Sequence, residues 1–471
     1  MKKILIIAAL CLFAGAISAQ ETIATSNHTY ATWDHNQRKL VRDSFDNICV
    51  VFSDYLNGTY FINGVMFDRA TKTWGEPFQI AEGNIPTLAI SRDDQFHLLY
   101  QSNDSLKEIR HMATYDFMNW PAYTVISEPG TRNRVPVADV DSASNLNIMW
   151  RKQNSETSYT AVYARISNGQ LAERKDFLTR EPITDIALAN HLLYYDNQLY
   201  FAINYGEDSL AFFHTADWME TYTVLYEATG DIPGITYNSE GPDPYFPSQV
   251  RFVYRTDFTE PLKEVEFKGN VQIGEANIDI QFIDNFAVDD LIPGFGYSMI
   301  CRQGNELLHL FSYGPGFESY HIMETLSAPW SSHPSVAYKH FSFEYVDFIW
   351  AEETDAGYNI KYMRDPKHVW TSVNDPDPEK GFTITGQPNP FQEFISLNIE
   401  ITEGNEIPVL EVFNTSSQVV QKFTFQPNPS GNYTLAWDGR NFSGDQVKPG
   451  VYVFLCTVGN KKAARKVVYQ P

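Results

Sequence analysis

Apolar and polar residues alternate along much of the chain, which is the pattern of half-buried β-strands. Residues 394–401 show it most clearly, because aliphatic side chains occupy positions 395, 397, 399 and 401 and polar side chains lie between them. Helical periodicity is nearly absent in the large region before this stretch. Short apolar runs bounded by Gly, Pro, Asn and Asp recur there instead, as is typical of strands joined by turns. The pattern therefore predicts an all-β protein.

A longer pattern repeats inside the large region. Three copies begin with a proline-containing run, continue through a polar turn and reach an apolar run that ends in an aromatic residue. The prolines and aromatic residues of the copies are Pro86 with Tyr100, Pro136 with Trp150, and Pro334 with Trp350. In each copy a third strand-like run follows. A four-stranded unit that recurs about every 45–50 residues is the signature of a β-propeller.

The starts of these units predict the number of blades. Counted from residue 38, units begin near residues 39, 84, 131, 180, 231, 279 and 329. This spacing predicts seven four-stranded blades. The fifth and sixth units are irregular, so six blades is the alternative. Residues 22–36 are then expected to lie near the closing blade or to cover one end of the propeller.

The rest of the chain predicts a second, smaller domain. Residues 374–380 read N-D-P-D-P-E-K, and two X-Pro steps in a polar run favour a stiff, extended linker. Alternating strands and turns then continue to the C-terminus, over a length typical of one small immunoglobulin-like β-sandwich. We therefore predict a β-propeller over residues 20–373, a linker over 374–385 and a β-sandwich over 386–471.

The first residues have the features of a signal peptide. Lys2 and Lys3 precede an apolar run that ends at Ile17, and this run is too short to span a bilayer comfortably. Small residues follow, so we predict cleavage between Ala19 and Gln20, with residues 1–19 as the signal peptide. No other segment is long and apolar enough to cross a membrane as a helix. The mature chain is therefore expected to have no transmembrane segment.

The C-terminal region contains several short motifs in order. They are P-N-P-F at 388–391, W-D-G at 437–439, a glycine at 444 and G-V-Y at 450–452, followed by a basic tail. Together they resemble the subtype A C-terminal sorting domain of type IX secretion substrates, and more widely the immunoglobulin-like domains of the flagellar hook-capping type. Ser417 departs from the family, which usually has glycine there. The motif residues are Pro388, Asn389, Pro390, Phe391, Trp437, Asp438, Gly439, Gly444, Gly450 and Tyr452.

This resemblance implies a route out of the cell. The domain would act as the signal for export across the outer membrane, with the outer-membrane secretion machinery as its partner. The resemblance also implies that the domain is often removed afterwards and that the rest is anchored or released. Together with the signal peptide, it predicts a secreted or cell-surface protein that passes through the periplasm.

Charge and cysteine content exclude two classes of protein. The formal net charge is −23, whereas nucleic-acid binding requires a basic surface, so no nucleic acid is expected as a partner. Three cysteines remain after cleavage, Cys49, Cys301 and Cys456, which are too few for a disulfide scaffold. We expect buried thiols, with a bridge between Cys49 and Cys301 as the alternative.

Two functional hypotheses remain open for the propeller, and the first is a glycan- or protein-binding module. Loops at the ends of the strands are rich in aromatic, amide and carboxylate side chains. Aromatic faces stack on sugar rings, and the polar groups bind sugar hydroxyls. The loop clusters are Trp33-Asp34-His35, Tyr115-Asp116-Phe117, Asp243-Pro244-Tyr245-Phe246 and Trp330-Ser331-Ser332-His333.

The alternative is a glycoside hydrolase or sialidase that acts on extracellular glycans. The blade layout loosely resembles sialidase-like propellers, although the S-x-D-x-G-x-T-W box of that group is absent. Hydrolysis requires two carboxylates across one bond, and a sialidase would need an arginine cluster and an activated tyrosine. The candidate arginines are Arg42, Arg110, Arg134, Arg151, Arg251 and Arg302. We predict no catalytic residue, cofactor or metal site, and we expect His97, His191 and His309 to be core residues.

Overall fold

The structure is a computed structural model. It describes residues 20–34, 36–180, 182–189, 198–206, 208–238, 249–290, 297–312, 319–325, 333–336, 345–366, 382–387, 391–401, 407–414, 419–428, 430–448, 450–458 and 461–469. All regular elements in these ranges are β-strands, which confirms the all-β prediction. In the same ranges no helix is long and apolar enough to cross a membrane.

Seven antiparallel sheets follow one another in the described part of the chain and form the blades of a β-propeller. Their first strands begin at residues 40, 84, 132, 183, 231, 283 and 335, close to the predicted unit starts. The seven-blade prediction is therefore confirmed and the six-blade alternative is wrong. The apolar faces of the strands are buried between neighbouring sheets, which explains why the period-two pattern is masked by continuous apolar runs.

The strands of the first three blades are as follows. Blade 1 contains β2 (Leu40–Arg42), β3 (Ile48–Leu56), β4 (Thr59–Asp68), β5 (Thr73–Trp74) and β6 (Phe78–Glu82). Blade 2 contains β7 (Asn84–Ile90), β8 (Phe96–Gln101), β9 (Ile109–Thr114) and β10 (Thr124–Val125). Blade 3 contains β11 (Arg132–Val140), β12 (Leu146–Gln153), β13 (Tyr159–Ser167) and β14 (Gln170–Arg180).

The remaining blades have the same order. Blade 4 contains β15 (Ile183–Ala189), β16 (Leu199–Tyr205), β17 (Ser209–Thr215) and β18 (Thr223–Thr229). Blade 5 contains β19 (Asp231–Asn238), β20 (Gln249–Arg255), β21 (Leu262–Lys268) and β22 (Val271–Ile278). Blade 6 contains β23 (Ile283–Asp290), β24 (Tyr297–Gln303), β25 (Glu306–Ser312) and β26 (Ser319–Thr325). Blade 7 contains β27 (Ser335–Val336), β28 (Tyr345–Thr354) and β29 (Gly357–Pro366).

The N-terminal strand closes the ring. β1 (Glu21–Ser26) pairs antiparallel with β29 and is the outer strand of blade 7. Residues 27–39, which we call the plug segment, then run from this outer edge to the first strand of blade 1. Every blade's first strand begins at the face that this segment crosses, which we call the plugged face. Residues 22–36 therefore both complete the closing blade and cover one end, as expected.

A buried carboxylate joins blade 7 to blade 1. Asp347 on β28 is fully buried and accepts hydrogen bonds from Tyr362 Oη at 2.5 Å and Arg364 Nε at 2.9 Å. Arg42 on β2 donates to the same carboxylate from the neighbouring blade. Asp46 also pairs with Arg42. The last and first blades are therefore linked by charge, in addition to their apolar contact.

A recurring hydrogen bond joins neighbouring blades near the plugged face. A polar side chain near the end of the second strand bonds the backbone at the start of the next blade, where the first strand carries a β-bulge or begins. The donor–acceptor pairs are Ile85 N to Ser53 Oγ (3.3 Å), Val135 N to Gln101 Oε1 (3.2 Å), Arg151 Nη1 to Ile183 O (3.1 Å), Asn204 Nδ2 to Gly230 O (2.8 Å) and Arg255 Nη1 to Ile283 O (2.7 Å).

The C-terminal domain is a two-sheet sandwich. One sheet has the order β30 (Phe382–Gln387), β31 (Ile395–Ile401) and β34 (Asn432–Trp437). The other has the order β33 (Val419–Thr424), β32 (Val409–Asn414), β35 (Gly450–Val458) and β36 (Lys461–Tyr469). The alternating aliphatic residues of β31 point into the core. The sequence pattern missed β30, which lies partly in the stretch assigned to the linker, and β36, which is the basic tail.

The cysteines and two of the histidines lie in hydrophobic cores, with Cys456 in the sandwich and the others in the blades. The three cysteines are free and buried, so the predicted thiols are confirmed and the Cys49–Cys301 bridge is wrong. His97 and His309 are also buried, as expected, whereas His191 lies outside the described residues. His97 forms one hydrogen bond with His111 through ring nitrogens 3.2 Å apart, and the rings stack. The other nitrogen of His97 has no partner.

Candidate functional site

The plug segment fills much of the central channel. Gln37 is fully buried, and its Nε2 donates to the carbonyl of Pro136 at 2.7 Å and to that of Ile85 at 3.3 Å. These carbonyls belong to the first-strand bulges of blades 3 and 2. The repeated X-Pro steps seen in the sequence thus present acceptors to the channel axis, and the plug segment supplies the donors.

A buried lysine adds to this attachment. Lys39 Nζ donates to Gln37 Oε1 at 2.8 Å and to the carbonyl of Pro86. Its backbone N–H bonds Ser335 Oγ of blade 7 at 3.0 Å. Burial lowers the pKa of the Lys39 ammonium well below its usual range, and Asp34 opposes that shift. The side chain is enclosed, so its role is to hold the segment rather than to react.

The plug segment leaves a small cavity beside it in the channel. The cavity has a volume of about 20 Å³, which is enough for about one water molecule. It is lined by Asn36, Arg38, Leu188, Gly234, Ile235, Ala287, Val288, Ser335 and Val336. This cavity is too small for a ligand of several atoms, so the outer side of the plug segment is the candidate binding surface.

Three aromatic rings lie on that outer side, of which Tyr30 is exposed and Trp33 and His333 are half-buried. The rings of Tyr30 and Trp33 lie 6.1 Å apart, and His333 lies 6.5 Å from Tyr30 and 6.4 Å from Trp33, edge-on to both. Tyr30 is 43% exposed. His333 precedes the first strand of blade 7, so the ring closure brings it beside the N-terminal segment. The three rings form the aromatic cluster at the centre of the plugged face.

Polar groups adjoin the aromatic cluster. Asn36 Nδ2 donates to Asp185 Oδ1 at 2.9 Å. Burial lowers the pKa of Arg151, with Asp185 and Asp34 opposing the shift and Arg134 reinforcing it, so these four charged groups lie near one another. Amides, carboxylates and guanidinium groups beside exposed rings match the hydroxyl-rich, ring-shaped form of a sugar. The arrangement suits binding.

Two of the four predicted loop clusters meet at this site. Trp33 and Asp34 come from one and His333 from another, while His35 and residues 330–332 lie outside the described residues. Tyr115 and Phe117 lie at the opposite face, in the connection between the third and fourth strands of blade 2. The cluster at 243–246 also lies outside the described residues.

The candidate arginines do not converge into one cluster. Arg42 belongs to the link between blades 7 and 1, and Arg151 bonds the start of blade 4. Arg110 lies over the ring of Tyr123 at 4.1 Å. Arg251 pairs with Glu266 at 3.2 Å in blade 5, and Arg302 pairs with Asp284 at 3.1 Å in blade 6. Arg134 lies opposite Arg151 in blade 3. These residues therefore do not form the arginine cluster that a sialidase would need.

The described residues also provide no metal site. No group of three or more His, Cys, Asp or Glu side chains within them is arranged to hold an ion. Buried carboxylates are paired with cations or accept backbone hydrogen bonds, as for Glu266 with Arg251 and Asp141 with Asn145.

The sorting motif residues form the aromatic core of the sandwich. Phe391 is fully buried, and its ring lies 5.5 Å from that of Trp437 and 4.9 Å from that of Tyr469. Trp437 contacts Tyr452 at 5.3 Å and donates from Nε1 to the carbonyl of Arg440 at 2.9 Å. Three of the seven motif residues that the structure describes, Phe391, Trp437 and Tyr452, therefore hold the two sheets together. Tyr469 completes the cluster and was missed, because nothing in the basic tail marks it as a core strand.

The other motif residues belong to turns or lie outside the described ranges. Gly439 has a φ of 74° and a Cβ there would approach Tyr469 within 3.2 Å, so only glycine fits. Asp438 is exposed and pairs with Arg440 at 3.2 Å, and Gly444 N donates to the carbonyl of Asn441. Gly450 begins β35. Gln20 directly precedes β1, whereas Ala19, Pro388, Asn389 and Pro390 lie outside the described residues.

One known family matches part of the sequence. The FlgD Ig-like domain matches residues 391–462. This confirms the wider resemblance of the C-terminal domain to the hook-capping type. The narrower resemblance to sorting domains stays a prediction. No protein of curated function matches the chain.

Solved structures resemble the propeller. An ulvan lyase, a polysaccharide lyase solved with a bound saccharide, has a TM-score of 0.52 at 11% identity, over 73% of this chain and 95% of its own. A lectin from Aleuria aurantia has a TM-score of 0.43 at 12% identity, over 65% and 98%. A Hadza microbial sialidase has a TM-score of 0.43 at 9% identity, over 56% and 62%. At 11% identity, the likeness to the ulvan lyase shows the fold alone and nothing about activity.

Proposed function

We propose that this chain is a secreted or cell-surface propeller protein that binds glycans at its plugged face. The observation that carries the proposal is the cluster of Tyr30, Trp33 and His333, held on a segment that is hydrogen-bonded to several blades. A rigid platform loses little conformational entropy on binding. Asn36 and Asp185 beside it supply the polar groups that would orient a sugar.

Replacing Trp33 by alanine should abolish most glycan binding. We expect retention on the preferred immobilised glycan to fall at least about tenfold, because aromatic anchors dominate such sites. The mature chain would be passed over a glycan panel, with bound protein and released sugar both followed. Tyr115→Ala is the matched control, since Tyr115 is 62% exposed but lies at the opposite face. Unchanged retention in the Trp33 variant would contradict the assignment of the site.

The same panel separates binding from hydrolysis. A glycoside hydrolase or sialidase would release sugar, and the binding proposal would then give way to the enzyme alternative. The dispersed arginines and the small volume of the described cavity beside the plug segment favour binding without cleavage. If the protein retains no glycan at all, a surface protein becomes a better candidate for its partner than a glycan.

We propose further that residues 382–471 direct export by type IX secretion. The resemblance of the motifs supports this, as does their arrangement around one aromatic core. The predicted cleavage between Ala19 and Gln20 would leave β1 complete, because that strand begins at Glu21. The exported propeller would therefore keep its closing strand.

Removing residues 382–471 should trap a folded propeller in the periplasm. The ring is closed by β1 and not by a C-terminal strand, so the truncation leaves all seven blades intact. Fractionation of a bacterium with this secretion system would locate the protein. Phe442→Ala in the full chain is the control for changes in the sandwich, since Phe442 is exposed and lies outside its core. Truncated protein at the cell surface would refute the export proposal.

A further inference from the structure

Two more aromatic pairs lie on the plugged face, away from its centre. We propose, building on the proposed glycan binding, that this face binds a polysaccharide along its length and not a single terminal sugar. The two pairs would be outer subsites, and the central aromatic cluster would be the middle one.

The first outer pair is on blade 1. Tyr55 ends β3 just before the hairpin turn and is 40% exposed, and its ring lies 4.7 Å from that of Tyr60. Tyr60 in turn lies 5.0 Å from His28 of the plug segment. Asp54 accepts the backbone N–H groups of Asn27 and Tyr55 at 2.7 and 2.8 Å. The exposed Tyr55 ring is therefore attached to backbone that these hydrogen bonds hold in place.

The second outer pair is formed by blades 5 and 6. Phe258 lies between the second and third strands of blade 5, and Phe282 directly precedes blade 6. They are 44% and 47% exposed and their rings lie 5.7 Å apart, edge to face. Phe282 N donates to the carbonyl of Phe258 at 2.9 Å. The two solvent-exposed phenylalanine rings lie on short turns that this hydrogen bond joins. They therefore provide an apolar surface that is already in place before a ligand binds.

The order of the blades sets the layout of these three places. The junction of blades 5 and 6 is two and a half blades away from blade 1 in the seven-bladed ring. Because strands within a blade are about 4.7–4.9 Å apart, the outer pairs are separated by a distance on the order of 20 Å. Such a span exceeds a single sugar and matches a chain of several.

The spacing of the rings favours a polysaccharide over a protein partner. Protein interfaces have a contiguous apolar centre surrounded by polar residues. Here Tyr55 and Tyr60 continue through His28 to Tyr30 as one line of rings, and Phe258 and Phe282 form a separate pair. Both groups have polar neighbours: Asn27 and Asp54 beside Tyr55, and Asp257, which accepts the Thr259 N–H at 2.9 Å, beside Phe258. Separate stacking surfaces with hydrogen-bonding groups between them suit a chain of ring-shaped units.

Affinity as a function of chain length tests this inference. The mature chain would be titrated calorimetrically with xylan, laminarin, alginate and polygalacturonate fragments, from disaccharide to decasaccharide. We expect the decasaccharide of the preferred polymer to bind at least about tenfold more tightly than its disaccharide. Tyr55→Ala and Phe282→Ala should each remove most of this gain, and Trp33→Ala should weaken binding at every length. Tyr115→Ala, at the opposite face, is the control.

The results distinguish this inference from the function on which it rests. If the disaccharide binds as tightly as the decasaccharide, and the two outer variants change nothing, the plugged face binds a terminal sugar and the inference is wrong while glycan binding stands. If no fragment or polymer binds, both are wrong. Circular dichroism of each variant checks that loss of affinity does not come from unfolding.

Discussion

Replacing Asp347 by alanine should lower the free energy of unfolding of the propeller by about 3–5 kcal/mol. The carboxylate is fully buried and accepts bonds from Arg42, Tyr362 and Arg364. Its removal leaves guanidinium charge enclosed between blades 7 and 1 without its counterion, which costs far more than a surface pair contributes. Because the ring closes at this place, the loss should weaken the whole propeller and not one blade.

Urea unfolding of the mature chain, followed by circular dichroism and tryptophan fluorescence, measures this effect. Glu275→Ala is the matched control, because Glu275 forms an exposed ion pair with Lys263 at 3.5 Å, and such pairs contribute less than about 1 kcal/mol. Asp347→Asn keeps the shape and removes the charge, so it should lie between the two. If the Asp347→Ala and Glu275→Ala midpoints are alike, the charge link between blades 7 and 1 does not stabilise ring closure.

Acid should destabilise the propeller through the His97–His111 pair. Burial lowers the pKa of His97 to about 4 and that of His111 to about 3, with the neighbouring His97 adding to the second shift, while Asp93 opposes the first. The folded state therefore binds fewer protons than the unfolded state, in which histidine titrates near 6.5. Stability is complete above this value and falls as the pH drops from about 6.5 to about 4.

The expected loss from His97 alone is about 3 kcal/mol over that range, since one pKa unit corresponds to about 1.4 kcal/mol. Unfolding free energies of the native protein and of the double variant His97→Gln, His111→Gln would be measured at several pH values. The native protein should lose more than about 3 kcal/mol relative to the variant, because the variant also lacks the contribution of His111. Equal slopes would mean that other groups, such as the paired carboxylates, account for acid sensitivity.

The sequence allowed most of the fold to be predicted because the information is local. The recurring X-Pro runs at Pro86 and Pro136 and the aromatic residues that follow them mark each blade within fifty residues of chain. Strand alternation in 395–401 did the same for the sandwich. A strand at the C-terminus was not predicted. Residues 461–469 form β36, which pairs with β35, but the basic charges of this run are typical of a flexible tail.

The roles of the arginines could not be predicted in this way. Arg251 and Arg255 lie on one strand, four residues apart, yet the first is buried against Glu266 and the second bonds the start of blade 6. Which blade a side chain meets depends on sheet packing and on bulges that shift the register. The positions of arginines in the sequence therefore could not show whether their side chains converge.

By itself, the sequence determined the all-β class, a propeller of six or seven repeated units followed by a sandwich, and the motifs of the C-terminal domain. The tertiary structure decided that the blades number seven. Only the tertiary structure decided the site. Trp33 and His333 are 300 positions apart and meet because an N-terminal strand completes the last blade. The plug segment has no regular pattern, since its hydrogen bonds go to carbonyls of other blades. Such long-range contacts produce no periodic pattern in the sequence. The plugged face therefore could not be predicted without the structure of the closed ring.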